Sequence, residues 1–367
     1  MEKYVYVFHH TDLDGMGIKV LGMIYAMSLN LPSKTISCSY NKVDAEVCQA
    51  IKTIDDVAEI IIGDISVNED TAERLNEIYK LGIPIRLRDH HDTATWLNKY
   101  EWALVSEKDN DESYRCATWW LAQDPDMKDV NNKLHGVIEA IDEWDTWKWK
   151  EHNLVVAKQL NSLFTIMGED EFTQYLIEGY RNSVPIEGAN KMFTEKAKIM
   201  IDVYERYIQN QVVLCDKFMY TMNLWTQIPD HKPGIFRQIK KTVKLKTGVV
   251  FVNGDMSAIG DALLDMHPEI DVLMMIAFPG LISWRTQKKD LPITLGKIAK
   301  RATGSGGGHP MAAGSTISFE GFKDMLTRFM ERNFSTKLDF SNLQSTWERK
   351  WAEKRKQEQL GDGAHGI

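Results

Sequence analysis

The chain is poor in cysteine, and its four cysteines stand far apart at Cys38, Cys48, Cys116 and Cys215. None of them forms a CxxC pair. Structural zinc sites and disulfide frameworks need cysteines at such close and regular spacings. We therefore expect buried thiols in a reducing compartment, and we expect the protein to be cytoplasmic.

Long apolar runs are also missing, although hydrophobic residues make up 43% of the sequence. No stretch approaches the roughly 20 apolar residues that cross a bilayer. The first residues, MEKYVYVFHHTD, offer a short apolar run without a small-residue cleavage site after it. That pattern is a poor signal peptide and indicates a β-strand over 4–8. We expect no membrane partner.

Two nucleotide-binding fingerprints are absent, the GK[ST] of the P-loop and the glycine-rich turn that follows a strand in dinucleotide-binding folds. Kinase and dehydrogenase functions are disfavoured on that ground. The net charge of −8 argues against a protein that coats duplex DNA through phosphate contacts alone. It remains compatible with a short or single-stranded nucleic acid, because a compact binding patch can be basic in an acidic chain.

Strand-like and helix-like segments alternate over roughly the first 145 residues. The helical segments are 15–29, 44–54 and 68–82, the last with Asn68 as a plausible N-cap and Gly82 just past its end. Alternation with short connections indicates an α/β fold with a parallel sheet covered on both faces. The predicted strands are 4–8, 35–40, 59–65, 83–88 and 102–105.

The rest of the chain first becomes helical and then returns to an α/β pattern. A long helix is predicted over 189–213, which has apolar residues at helical spacing and no proline or glycine. Five strand-like segments follow, with helices near 257–266 and 292–302. We predict four parts: a catalytic domain at 1–155, a helical extension and linker at 156–212, a smaller domain at 213–318 and a helical segment at 319–367. The strand-like segments lie at 213–224, 247–254, 271–278, 281–287 and 314–319.

Acidic and histidine side chains follow three of the first strands. HHTDLDG comes after 4–8, GDIS lies at the end of 59–65, and DHHD comes after 83–88. Each cluster alone is well explained as a turn or a helix cap. The carboxyl ends of parallel strands, however, meet at one edge of the sheet, where ligands bind. A fourth cluster, EAIDEWD, ends a helix at 133–142 and could fold over that edge.

Several carboxylates that converge within a few Å cannot all stay ionised without a cation. Histidine and aspartate ligands without cysteine favour Mn, Mg, Fe, Zn or Co. A carboxylate at the centre could bridge two metals about 3.5–4 Å apart, the arrangement used to hydrolyse phosphoesters. The sequence therefore predicts a metal-dependent phosphoester hydrolase.

A second constellation is GSGGGHPMAAG at 304–314. Its glycines would let the backbone approach a ligand and offer N–H groups to a phosphate, although a flexible turn explains them equally well. Arg285, in LISWRTQ, could hold a phosphate or carboxylate with two hydrogen bonds. The basic run at 237–246 is either a rim of a binding site or a solvated strand.

Three tryptophans lie close together in WDTWKW, at Trp144, Trp147 and Trp149. A role in stacking on a nucleobase is one interpretation. Core packing is the other, and it is expected for at least two of the three.

The ordered set HHTDLDG, GDIS, RDHHD and EAIDEWD resembles the four motifs of the DHH phosphoesterase superfamily. SWRT with GSGGGHPMAAG resembles the accessory DHHA1 module, and the two resemblances span roughly 3–150 and 213–318. They imply a parallel-sheet DHH domain and a smaller α/β DHHA1 domain, joined by a helical linker, with the active site in the cleft between them.

Carried over by motif, the resemblance implies a first metal held by His10, Asp12 and Asp64. The second metal would be held by Asp14, Asp64, His90 and Asp142, so that Asp64 is the bridge. Two choices stay open, His9 against His10 and Asp145 against Asp142, the latter being chosen by motif order alone.

The resemblance also assigns substrate contacts. His91 would contact the scissile phosphate and Asp89 would orient a histidine. In the DHHA1 module the substrate would be bound by Arg285, Gly306, Gly307, Gly308 and His309.

The branch that the chain resembles most is the nanoRNase and RecJ-like one, which hydrolyses short or single-stranded nucleic acids. This implies an exonuclease or oligoribonuclease that releases mononucleotides with two divalent ions, Mn²⁺ first and Mg²⁺ or Co²⁺ as alternatives. A signalling nucleotide, such as a cyclic or linear dinucleotide or 3′-phosphoadenosine 5′-phosphate, is the alternative substrate. A non-catalytic nucleic-acid-binding protein is disfavoured because every expected ligand type is present. The C-terminal segment could pack on its own chain or form a homodimer.

Overall fold

The computed structural model describes residues 2–182, 193–230, 239–278, 280–304, 306–308, 311–324 and 327. The chain divides into two compact units, Met1–Glu205 and Arg206–Ile367. No helix in the described part of the chain is long and apolar enough to cross a membrane.

The first unit contains a five-stranded sheet in which every pair of neighbouring strands is parallel. Its strand order is β2-β1-β3-β4-β5. The parallel sheet expected from the alternating pattern is confirmed. Its strands are β1 (Tyr4–His9), β2 (Ser33–Ser37), β3 (Val57–Gly63), β4 (Ile85–Asp89) and β5 (Ala103–Val105).

Apolar side chains cover both faces of this sheet. Along β1, Val5 and Val7 join one core while Tyr6 and Phe8 join the other, because successive side chains of a strand point to opposite faces. The first core also takes in α1, α4, α5 and α6, and the second takes in α2 and α3. These helices are α1 (Leu13–Ser28), α2 (Val43–Ala50), α3 (Glu69–Lys80), α4 (Ala117–Ala122), α5 (Lys128–Asp145) and α6 (Val155–Arg181).

The helix signals read from the sequence act locally. The side chain of Asn68 accepts a hydrogen bond from the Thr71 amide at the start of α3, and Gly82 follows the helix with a φ of 91°. The helix predicted over 44–54 differs, since α2 ends at Ala50 and the chain continues as a 3-10 helix over Ile51–Asp56. Two further 3-10 helices lie at Asp92–Lys99 and Pro125–Met127.

Residues of the helices after residue 155 contribute to the first core. Phe172 of α6 is fully buried in the first core, and Ile201 of α7 (Glu195–Lys217) lies in the same core. α6 is kinked at Gly168, whose φ is 71°. The part of the predicted 189–213 helix before residue 193 lies outside the described residues. The four-part division of the chain remains a prediction.

The second unit is built on a mixed six-stranded sheet with the order β10-β11-β9-β8-β7-β6. Its one parallel pair within the described strands is β7 with β8, and the other neighbours are antiparallel. Two helices, α8 (Met256–Met266) and α9 (Leu295–Thr303), accompany the sheet. The strands are β6 (Tyr220–Asp230), β7 (Ile239–Phe251), β8 (Val272–Ala277), β9 (Leu281–Arg285), β10 (Gly307–Gly308) and β11 (Ala312–Thr316).

The structure changes one sequence expectation in this unit and resolves an alternative left open in another. The predicted strand at 213–224 begins only at Tyr220, because α7 continues to Lys217. The basic run at 237–246 enters β7 from Ile239 onward, so it forms a strand. Of the C-terminal segment 319–367, residues 319–324 and 327 are described and helical, and the remainder lies outside the described residues.

Candidate metal centre

Three neighbouring strands of the first sheet carry the candidate ligands to one edge. β1 is followed by His10, β3 by Asp64, and β4 ends at Asp89 before His90. β3 pairs with both β1 and β4, so these positions are adjacent in space. Three groups of potential ligands form here, each with its ligand atoms within 4.8 Å of one another.

The first group consists of His10, Asp12 and Asp64. His10 Nδ1 lies 2.9 Å from Asp12 Oδ2 and 3.6 Å from Asp64 Oδ2. Asp12 is also the N-cap of α1, where its other oxygen accepts a hydrogen bond from the Gly15 amide at 3.1 Å. A Cβ atom on Gly15 would lie 2.1 Å from the carbonyl oxygen of His10. Glycine there allows the helix to start directly against the ligand-bearing loop.

The second group surrounds His90. Its Nε2 lies 3.4 Å from Asp64 Oδ1, 3.5 Å from Asp145 Oδ2 and 3.9 Å from Asp14 Oδ2. Asp14 is fully buried, and its two oxygens accept hydrogen bonds of 2.8 Å from the amides of Ala117 and Thr118 in the first turn of α4. These bonds fix the Asp14 carboxylate so that its Oδ2 faces His90.

Asp64 belongs to the first group and also contacts His90, so it is shared by the two. Its backbone has a φ of 57°, a left-handed conformation that few residues other than glycine adopt. Aspartate is one of the residues that adopt this conformation most readily after glycine. The side chain is buried, and Asp64 Oδ2 has no hydrogen-bond partner among the residues that the structure describes.

The electrostatics of the cluster call for a cation. Burial, together with Asp12 and Asp14, raises the pKa of Asp64 well above its ordinary value. Burial and the neighbouring carboxylates raise the pKa of Asp145 to about 7, although His90 opposes the shift. Burial lowers the pKa of His10, but the bonded Asp12 and nearby Asp64 outweigh it and raise this pKa to about 10. Oxygen and imidazole donors of this kind fit a hard or borderline divalent metal.

Asp89 belongs to the third group, with Asp64, His90 and His91, and its carboxylate bonds the next two residues. Its Oδ1 accepts hydrogen bonds from the His90 amide at 2.7 Å and pairs with His91 Nδ1 at 2.7 Å. Its Oδ2 accepts a short hydrogen bond from Ser66 Oγ. Burial opposes the charged form of Asp89, but the bonds from His91 and Ser66 prevail and lower its pKa. The predicted orienting role of Asp89 agrees with this geometry.

Asp142, which motif order favoured as a ligand, has other partners. Its Oδ1 accepts from the Cys116 amide at 2.8 Å, and its Oδ2 pairs with Arg115 and Lys148 at 2.9 Å each. Asp145, one helical turn later on α5, is the carboxylate that faces His90. The structure therefore replaces Asp142 by Asp145 in the candidate ligand set, because two cations already neutralise Asp142.

His9 is the last residue of β1, whereas His10 follows the strand, and the two side chains have different surroundings. His9 is fully buried, with Nδ1 2.8 Å from the His10 carbonyl oxygen and Nε2 3.6 Å from Glu169. His10 is the residue that meets Asp12 and Asp64. The choice of His10 over His9 thus agrees with the geometry.

Tyr40 was not singled out from the sequence. Its hydroxyl lies 3.1 Å from His91 Nε2, and its ring centroid lies 5.0 Å from that of His10. A tyrosine just after a strand carries no motif signal, and its partner is 51 residues away in the chain. Arg115, whose partner Asp142 is 27 residues away in the chain, was missed for the same reason.

In the second unit, Arg285 and the glycine run approach one end of the sheet. Arg285 lies opposite Ala312 on β11, and Gly308 lies opposite Ala313. Arg285 Nη2 donates to Ser257 Oγ at 2.7 Å. His309 lies outside the described residues, so its predicted substrate role has no structural counterpart here.

The backbone conformation and packing require glycine at position 306 but not at position 307. Gly306 has a φ of 126°, and a Cβ on it would lie 2.8 Å from the carbonyl oxygen of Gly314, whereas a Cβ on Gly307 meets nothing within 4 Å. We expect Gly306→Ala to destabilise the protein by roughly 1–3 kcal/mol through overpacking and backbone strain. Gly307→Ala should leave the free energy of unfolding unchanged, as urea denaturation would show.

This difference makes Gly307→Ala the informative variant for a phosphate cradle. If the cradle is real, the added methyl group should raise KM for a phosphoester substrate without changing stability. An unchanged KM would support the interpretation of the glycines as a turn.

Comparison with known proteins identifies relatives across most of the chain. No family model matches it. Oligoribonuclease NrnB of Bacillus subtilis (strain 168) is 28% identical over 326 residues, which cover 86% of this chain and 73% of NrnB. Among solved structures, the pGpG-specific phosphodiesterase PggH from Vibrio cholerae has 12% identity and a TM-score of 0.48, with 90% of this chain and 98% of that chain covered. Exonuclease RecJ bound to manganese has 12% identity and a TM-score of 0.45, with 89% of each chain covered.

Three observations now point the same way: four motifs in a fixed order, their meeting around Asp64 at one sheet edge, and the likeness to NrnB along most of both chains. The parallel first sheet and the mixed second sheet are the two α/β parts that the motifs led us to expect. Together they support a place for this chain in the DHH/DHHA1 phosphoesterase superfamily and a metal-dependent phosphoesterase activity.

Proposed function

We propose that the protein hydrolyses short single-stranded oligoribonucleotides to mononucleotides, using two divalent ions of which Mn²⁺ is the best fit. The observation that carries this proposal is the position of Asp64, which is shared between a His10 group and a His90 group. A shared carboxylate between two ligand groups suits a pair of metal ions on one phosphate. The relative NrnB, named an oligoribonuclease, supports the substrate class.

The ligand assignment follows the two groups. His10, Asp12 and Asp64 would hold one ion, and Asp14, Asp64, His90 and Asp145 would hold the other. When bound, such ions lower the pKa of water and neutralise the charge on phosphate oxygens. Asp64 Oδ2 and Asp145 Oδ2, which are buried without a hydrogen-bond partner in the described part of the chain, would gain most from such ions.

His91 would contact the scissile phosphate. Asp89 pairs with His91 Nδ1, which fixes the ring and leaves the Nε2 side toward Tyr40 and the ligand loops. A carboxylate behind an imidazole fixes the orientation of the ring, which holds Nε2 in place for a contact with a phosphate oxygen. In the second unit, Arg285 and Gly306–Gly308 are proposed to bind the substrate, as is His309. An active site between the two units remains a prediction.

A time course of Mn²⁺-dependent hydrolysis tests the substrate class. The substrates are 5′-labelled RNA and DNA of graded length, cyclic dinucleotides and 3′-phosphoadenosine 5′-phosphate, each with an EDTA control. We expect the fastest turnover on RNAs of two to five residues, a decline with length, and no turnover in EDTA.

Other outcomes identify other substrates. Preference for long single strands would make the protein RecJ-like, and preference for a cyclic or bisphosphorylated nucleotide would contradict the oligonucleotide assignment. Failure to hydrolyse any of the substrates would contradict the proposed catalytic activity altogether.

A further inference from the structure

Three tryptophans lie at the C-terminal end of α5, and the structure treats them differently. Trp144 and Trp149 are partly buried against the first core, with ring centroids 5.8 Å apart. Trp147 stacks on Trp144 with centroids 6.0 Å apart and an interplanar angle of 26°. Trp147 remains 39% exposed. Two of the tryptophans thus build a support, and the third presents its ring at the surface.

The backbone of Trp147 is unusual for so large a residue. It follows Thr146, the C-cap of α5, and has a φ of 61°. Helices commonly end with such a left-handed residue, which is usually glycine and sometimes asparagine. A bulky residue in this conformation is an outlier, and outliers cluster at functional sites. Glycine would satisfy the helix end without strain, so the indole ring itself is what Trp147 adds.

Trp147 lies close in the chain to a candidate metal ligand. Asp145, two residues earlier, lies in the group around His90, and two residues span at most about 7.2 Å between Cα atoms. The following residue, Lys148, is held by Asp142 at 2.9 Å and by the Tyr114 carbonyl at 2.7 Å. The Lys148 ammonium is thus paired within the protein, and the feature that Trp147 offers is the exposed aromatic ring, a platform on which bases of single-stranded nucleic acids stack.

We propose that Trp147 stacks on a nucleobase of the substrate, next to the phosphate that is cleaved. The inference rests on the proposed oligonucleotide activity and adds the residue that holds the base. Every base has a π-face, so stacking tolerates any sequence. Trp147 therefore acts in substrate binding and leaves the chemical step at Asp64 unchanged.

The test compares wild type with Trp147→Ala and Trp147→Phe on two substrates, a triribonucleotide and the same compound lacking its bases. We expect Trp147→Ala to raise KM for the triribonucleotide roughly 5- to 100-fold, with kcat retained, since stacking on one base has about this effect. Trp147→Phe should keep most of the affinity. For the base-free compound, KM should be the same in wild type and in both variants. Trp225→Ala, at a 64% exposed tryptophan of β6 in the second unit, is the matched control and should behave as wild type.

Trp147→Gly separates recognition from folding. Glycine suits the left-handed backbone, so this variant should unfold at a temperature no lower than Trp147→Ala. It should nevertheless have the same raised KM as Trp147→Ala. If glycine restores the wild-type KM, the ring has only a structural effect and the proposal is overturned.

Fluorescence anisotropy with a labelled triribonucleotide measures binding without turnover. Equal affinity of wild type and Trp147→Ala overturns the inference and leaves the proposed function intact. At least fivefold tighter binding by wild type, without hydrolysis, supports base stacking and contradicts the proposed function. If wild type neither binds nor hydrolyses the RNA, both the stacking inference and the proposed function are contradicted.

Discussion

Asp64→Asn should remove metal from the protein and lower turnover by more than about 100-fold, because loss of a ligand exceeds the 10- to 100-fold effect of losing its supporting residues. Asp64 is shared by the His10 and His90 groups, so its loss weakens both. Asparagine is the appropriate replacement. It keeps the shape of the side chain and tolerates the φ of 57° at this position.

Metal content after dialysis and the thermal response to Mn²⁺ give two independent readouts. Wild type should gain about 2.7 kcal/mol of stability at a metal concentration 100 times Kd, and Asp64→Asn should lose this gain. Asp92→Asn, at an exposed carboxylate directly after His91, is the matched control and should retain both metal and turnover. Wild-type metal content and near-full turnover in Asp64→Asn would contradict the shared-ligand assignment.

The second large effect is expected from a pair of variants one helical turn apart. Asp142→Asn should lower the free energy of unfolding by roughly 1–3 kcal/mol, because the buried side chain loses its charge-assisted bonds to Arg115 and Lys148, although Asp109 still pairs with Arg115. Its metal affinity should be close to that of wild type. Asp145→Asn should show the reverse pattern, with more than about tenfold weaker metal binding and unchanged or higher stability in EDTA. The expected stability follows from removing a carboxyl group whose pKa is raised to about 7 by burial.

Urea denaturation in EDTA and calorimetric titration with Mn²⁺ measure the two quantities separately. The comparison is internally controlled, since both variants exchange aspartate for asparagine on the same face of α5. Weaker metal binding in Asp142→Asn than in Asp145→Asn would restore Asp142 as the ligand.

Much of the fold follows from local patterns in the sequence. The alternation of Val5 and Val7 with Tyr6 and Phe8 requires a strand buried on both faces, which is what a parallel sheet provides. Asn68 and Gly82 set the ends of α3 through bonds and torsion angles within a few residues. Once the strands are parallel, the meeting of His10, Asp64 and His90 at one edge follows from geometry alone.

What the sequence determined by itself is therefore the sheet, its ligand-bearing edge and the kind of chemistry located there. Only the tertiary structure distinguishes Asp142 from Asp145, because Arg115 and Lys148 pair with Asp142 whereas His90 approaches Asp145. Likewise, only packing brought Tyr40 to His91 and left Trp147 as the exposed tryptophan of its cluster. Periodicity and capping act between near neighbours in the chain, whereas these choices depend on contacts between residues far apart in sequence.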